Sequence, residues 1–99
     1  MNKNYMAGRR EEYACIKRWM DRGYVAVRSA GSHGHWDVCA VRSDRPTELV
    51  QCKVTKSKAT AQLLLRYFKK DPPLLPSSYF HQTLEVRVKG STDILSVTI

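Results

Sequence analysis

Residues 28–56, RSAGSHGHWDVCAVRSDRPTELVQCKVTK, decide the fold. Residues 35–42 and 48–55 are short runs rich in β-branched side chains, and the Ser-Asp-Arg-Pro segment between them carries turn residues, which predicts a hairpin. Side chains alternate along a strand, so Asp37 shares a face with Cys39 and Val41. On the second strand Gln51 and Lys53 share a face, while Val50, Cys52 and Val54 point the other way. A register that sets the two polar faces together makes Asp37, Gln51 and Lys53 converge. Polar groups that interrupt apolar strands need partners, because an unpaired buried charge is costly.

Working outward, the segment before the hairpin predicts a helix over residues 7–21, with residues 1–6 frayed and the helix stopping at Gly23. Tyr13, Ile16 and Met20 recur at helical spacing, and Glu12 lies one turn before Ile16 and two before Trp19. The expectation is that Glu12 borders the buried stripe and Glu11 faces outward; the alternative is that both acids only complement the helix dipole. Residues 24–28 then read as a strand. The Ser-Ala-Gly-Ser-His-Gly-His segment reads as a loop whose glycines permit close backbone approach to a ligand.

After the hairpin, Ser57 is a candidate cap for a second helix, with Thr60, Leu63, Leu64, Tyr67 and Phe68 on its apolar stripe and Lys58, Gln62, Arg66, Lys69 and Lys70 outside it. Pro72 and Pro73 end that helix. Leu74 and Leu75 are expected to cover the edge of the core, the alternative being that they meet a partner subunit. Residues 83–89 and 94–99 read as two antiparallel strands joined by a tight turn. The order α-β-β-β-α-β-β predicts an α/β fold, one mixed β-sheet flanked by helices, and 99 residues predict a single domain spanning 1–99.

Composition narrows the function. With 17 Lys plus Arg against 9 Asp plus Glu the net charge is +8, so a polyanion, nucleic acid first, is the expected partner. No apolar run reaches the length of a membrane span, and MNKNYMAGRREE lacks a signal peptide's apolar core. Cys15, Cys39 and Cys52 form no C-x-x-C pair. A cytoplasmic, reduced protein with no membrane partner is expected, in a host cytoplasm or nucleoid were the gene viral. A zinc site from His33, His35, His81 and the cysteines is disfavoured, since of these ligands only His33 and His35 are closely spaced; the cysteines read as small core residues.

Taken together, GRREE at residues 8–12, VRSAGSHGHWDVCA at 27–40 and LVQCKVTK at 49–56 resemble the restriction-endonuclease-like nucleases, whose signature is an acid followed by acid-x-lysine on neighbouring strands. Within that superfamily the chain most resembles the archaeal-type Holliday junction resolvases, over residues 8–56 and the helix after them. The resemblance implies a divalent-metal-dependent endonuclease that resolves four-way DNA junctions by paired symmetric nicks as a homodimer. It implies that Glu12, Asp37, Gln51 and the backbone carbonyl of Cys52 surround Mg²⁺, with Mn²⁺ substituting, that Lys53 is the motif lysine, and that Ser32 has a supporting role near the scissile phosphate. Mg²⁺ takes oxygen ligands and typically only one or two carboxylates, which suits this set.

Gln51 departs from the pattern, which prefers glutamate. Its amide can ligate a hard cation, but the site carries one negative charge fewer. Three outcomes stay open: a working site with weaker metal affinity, which is the expectation; a preference for Mn²⁺; or a fold that binds DNA without cutting. Arg9, Arg10, Arg28, His33, Lys56, Lys58, Lys69 and Lys70 are the expected phosphate contacts, with Lys17, Arg18 and Arg22 beside them, although loop histidines such as His33 and His35 are commonly plain surface residues. Two other readings stand beside this one: an endonuclease of the same fold acting on other branched or duplex DNA, and a nucleic-acid-binding module that lost catalysis at Gln51.

Overall fold

The computed structural model describes residues 3–29 and 35–99, with side chains from residue 9 onward. The predicted hairpin is its centre. Strand β2 (Val38–Arg42) pairs antiparallel with β3 (Arg45–Thr55), Val38 opposite Val50 and Ala40 opposite Glu48. The turn lies at Ser43 and Asp44, and the ladder shifts register between Ala40 and Arg42.

Strand β1 (Val25–Arg28) adds antiparallel to the free side of β2. Helix α2 (Lys58–Lys70) leads from β3 to β4 (Phe80–Val88), and because the helix carries the chain back along the sheet, β4 pairs parallel with β3. Strand β5 (Ile94–Thr98) closes the sheet antiparallel to β4 after a turn at Gly90, whose φ is +84°. The result is a five-stranded mixed sheet in the order β1-β2-β3-β4-β5, with the predicted α-β-β-β-α-β-β sequence of elements.

The two helices cover different parts of the sheet. Helix α1 (Lys3–Asp21) packs its Cys15 and Trp19 on Val38, Ala40 and Val50, with Ile16, Ala26 and Cys52 alongside. Helix α2 packs Ala61 and Phe68 on Leu84 and Val86, with Leu64, Leu65, Leu95 and Val97 around them. Over β1 and β2, on the face away from α1, Val25, Val27 and Val41 remain exposed.

Local chemistry explains the helix ends. At the end of α1, Gly23 adopts φ +91°, a left-handed conformation that side chains disfavour, and the Gly23 N–H donates to the Met20 carbonyl. Ser57 caps α2 by accepting the Thr60 N–H at 3.2 Å. Its last turn carries Lys69 and Lys70, which complement the helix dipole.

Four expectations need correction. Helix α1 begins at Lys3, about a turn earlier than residue 7, since nothing in Lys-Asn-Tyr-Met-Ala breaks a helix. Its buried stripe is Glu11, Cys15 and Trp19, while Tyr13 and Met20 are exposed. The stripe of α2 is Ala61, Leu64, Leu65 and Phe68, with Thr60, Leu63 and Tyr67 outward, because the helix rests on β4 and β5 through its small Ala61. Leu74 and Leu75 do not cover the core; both are exposed, and the connector is instead tied down by Gln82, whose amide bonds the N–H and carbonyl of Leu74, both at 2.9 Å.

Candidate active site at the β2–β3 strands

Asp37 is fixed from three sides. Its N–H donates to the Val50 carbonyl at 2.8 Å, its carbonyl accepts from the Ser29 N–H at 2.9 Å, and its Oδ2 accepts from the Cys52 N–H at 2.9 Å. The carboxylate therefore sits on the strand that carries Gln51 and Lys53, beside Gln51 in the continuation of the β2–β3 register. Gln51 and Lys53 both face the side of the sheet that holds α2, where Gln51 is half-buried and Lys53 exposed. Trp36, next in the chain, packs edge-on against Phe68 with ring centroids 6.3 Å apart, which ties this strand end to α2.

Glu12 comes from the other face. Its Oε1 accepts from Arg28 Nε at 2.7 Å, and both side chains are largely buried. It lies near enough to Asp37 to matter: the Asp37 carboxyl is raised above the ordinary aspartate range, first by burial and further by the Glu12 charge, against the opposing Cys52 N–H and Lys53. Two carboxylates in a desolvated corner repel each other. A cation between them would relieve that repulsion, and Asp37, Glu12, the Gln51 amide oxygen and the Cys52 carbonyl are all hard oxygen donors suited to Mg²⁺ or Mn²⁺.

This geometry has a measurable consequence. A carboxyl whose folded pKa is raised makes the folded state lose stability as pH rises from the ordinary aspartate value through the raised one, and the loss is complete above it. Asp37→Asn keeps an oxygen for the Cys52 N–H and removes the charge. The variant is expected to melt higher than the wild type at neutral pH in EDTA, with the gap closing in acid, as followed by circular dichroism.

The acids of α1 divide the roles differently from the sequence expectation. Glu11, expected to face outward, is the buried one, because α1 rotates it onto β4. Its Oε1 meets Arg18 at 3.2 Å and its Oε2 meets Arg87 at 2.7 Å. Arg18 also bonds Glu85 Oε1 at 2.8 Å, and Glu85 Oε2 accepts from Trp19 Nε1 at 3.0 Å. Arg18 thus points inward, away from the predicted phosphate contacts. The signal for this network was Glu85 and Arg87 alternating with apolar residues along β4.

Among the described residues, the potential metal donors that cluster outside the acidic corner are Cys15, Cys52 and Glu85, all within 4.8 Å of one another beneath α1. Contact with Cys15 and burial push the Cys52 thiol far up, so it is a neutral core thiol at neutral pH. Cys39 is not part of this group, and His81 lies apart, its Nδ1 2.8 Å from Glu48 Oε1. Ser32 and His33 lie outside the described residues. Arg9, Arg10, Lys56, Lys58, Lys69 and Lys70 are exposed, whereas Arg28 is held against Glu12.

No helix among the described residues is long and apolar enough to cross a membrane. No protein-family model matches the chain. No curated protein matches its sequence. Among solved structures, the chain is similar to that of Hjc, a Holliday junction resolvase from the archaeal hyperthermophile Archaeoglobus fulgidus, with a TM-score of 0.55, 14% identity, and coverage of 92% of this chain and 83% of that one. At that identity the likeness establishes a shared fold: a mixed sheet with its flanking helices arranged as in that resolvase.

Proposed function

We propose that the chain is a divalent-metal-dependent endonuclease that cuts branched DNA, four-way junctions foremost, by paired nicks as a homodimer. The observation that carries this reading is Asp37 pinned on the Cys52 N–H beside Gln51 and Lys53, with the charge of Glu12 close by. The fold shared with a junction resolvase supports it, as does the net charge of +8.

In this reading Asp37, Gln51, Glu12 and the Cys52 carbonyl would hold Mg²⁺ or Mn²⁺, which would supply an acidified water and offset charge at phosphorus. Lys53 holds a phosphate oxygen or the attacking water, a fixed positive charge where negative charge develops. Arg28 holds Glu12 in place. Ser32 and His33, which precede Asp37 in sequence, would contact the phosphate near the cut. Arg9, Arg10, Lys56, Lys58, Lys69 and Lys70 position the duplex arms through phosphates without reading sequence. The exposed Val25, Val27 and Val41 offer apolar surface of the kind a dimer needs.

The test is substrate discrimination. A labelled four-way junction and a linear duplex of the same sequence are incubated with the protein; symmetric paired nicks on the junction alone support resolution, and equal cutting of both substrates replaces it with a general endonuclease of this fold. Binding should weaken steeply with salt, log K falling by about 0.9 per neutralised phosphate for each decade of salt. Filter binding across a salt series measures the slope, and a flat slope would remove the phosphate contacts from the account.

Gln51 favours one second reading, a DNA-binding module without catalysis. Gln51→Glu separates the two: it adds the missing charge, and an active site is expected to gain Mg²⁺ affinity, read as a lower metal concentration for half-maximal rate.

A further inference from the structure

Beside Gln51 and Lys53 lies a cleft of about 630 Å³ between the last turns of α2 and strands β3 and β4. Its floor is apolar, from Leu64, Phe68 and Leu84, and Tyr67, a residue 59% exposed, forms one wall. Lys53 and Lys70 stand at its edges, with Asp71 as a hydrogen-bond acceptor. An exposed tyrosine beside an apolar floor, flanked by cations, matches a nucleotide: π-face against ring, phosphates against ammonium groups.

The geometry points to a subsite for one unstacked nucleobase next to the scissile phosphate, with Tyr67 as its stacking platform. This deepens the endonuclease reading and rests on it, since Lys53 both lines the cleft and would hold the phosphate. A nucleotide whose phosphate lies at Lys53 has the cleft within reach of its own base. A base paired inside a duplex must leave the stack to enter, which is least costly where the base is already unpaired. Branched DNA is then preferred because its bases open easily at the crossover, a source of selectivity that phosphate contacts alone do not supply. The preference is tolerant of sequence, because every base presents a π-face.

The test uses the whole chain with Ca²⁺ in place of Mg²⁺, and four-way junctions carrying a single abasic residue stepped through the crossover. Tyr67 is largely exposed, so Tyr67→Ala should fold normally, which its melting curve checks. Tyr67→Ala is expected to weaken binding to the intact junction by about 5- to 150-fold, the range for loss of one base–aromatic stack, and Tyr67→Phe to restore it. At one or two abasic positions beside the crossover the alanine penalty should shrink to within about twofold, since there is no base left to stack. An equal penalty on every abasic junction, or none on the intact one, would overturn the subsite while leaving the endonuclease reading standing. Failure of the wild type to bind any DNA would overturn both.

Discussion

Lys53→Ala is expected to slow strand scission by about 10²–10³ while changing DNA affinity only a few-fold, the scale seen when one preorganised donor to a developing oxyanion is removed. The split between rate and affinity follows from where the charge stands. Lys53 is one of 17 Lys and Arg residues, so its loss would subtract little from the proposed phosphate contacts. In the proposed active site the others would not replace it, because it shares a strand face with Gln51 and lies close enough to Asp37 to oppose the rise in that carboxyl's pKa. Arginine is not an equivalent: its planar fork places charge differently from a compact ammonium, so Lys53→Arg should also be slow. Single-turnover cleavage with enzyme in excess, paired with binding in Ca²⁺, reads both quantities. A parallel fall in rate and affinity would make Lys53 an ordinary phosphate contact.

The second large effect concerns stability. Glu85→Ala should destabilise the fold by about 2–3 kcal/mol, because it leaves Trp19 Nε1 without its acceptor and the Arg18 guanidinium with only its longer, 3.2 Å contact to Glu11. Breaking a fully buried pair costs about 3–5 kcal/mol, and the lower figure reflects the remaining Glu11 partner and the 27% exposure of the Arg18 side chain, which lets water compensate in part. For a domain this size the loss corresponds to roughly 10–20 °C in Tm. Breaking the Lys17–Asp21 pair, exposed on the same helix, should scarcely move the transition. Thermal melts of the three proteins make the comparison, and equal melting of Glu85→Ala and wild type would show that α1 is held by its apolar contacts alone. The network also bears on the site, since it fixes the helix that carries Glu12.

The contrast between these two predictions marks what the sequence made legible. Alternation along residues 35–42 and 48–55 sufficed to mark the antiparallel strand pair, because strand periodicity is a local property that survives folding. Gly23, Ser57 and the paired prolines marked their boundaries for equally local reasons. Helix α1 read less well. Its apolar spacing pointed to Tyr13 and Met20, yet the buried face carries Glu11 and Arg18, whose partners Glu85 and Arg87 arrive from β4 almost seventy residues later or more. Burial of charge is decided by such distant partners, and no window on the helix contains them. In α2 the stripe turned by one position for a similar reason, since only the docked sheet shows that Ala61 is the close contact and that Tyr67 is left beside the cleft. The ion pair between Glu12 and Arg28 was likewise invisible, as was the tie from Gln82 to Leu74.

The measurement that bears most directly on the account is metal-dependent cleavage by the wild-type protein: a labelled four-way junction in Mg²⁺, in Mn²⁺ and in EDTA, with Asp37→Asn alongside. The proposed site predicts nicking in both metals, none in EDTA, and less than about 1% of the rate in Asp37→Asn, since losing a proposed metal ligand would remove water activation and charge neutralisation together. A junction that is bound yet stays whole in both metals would contradict the catalytic account and leave a DNA-binding protein built on a nuclease fold.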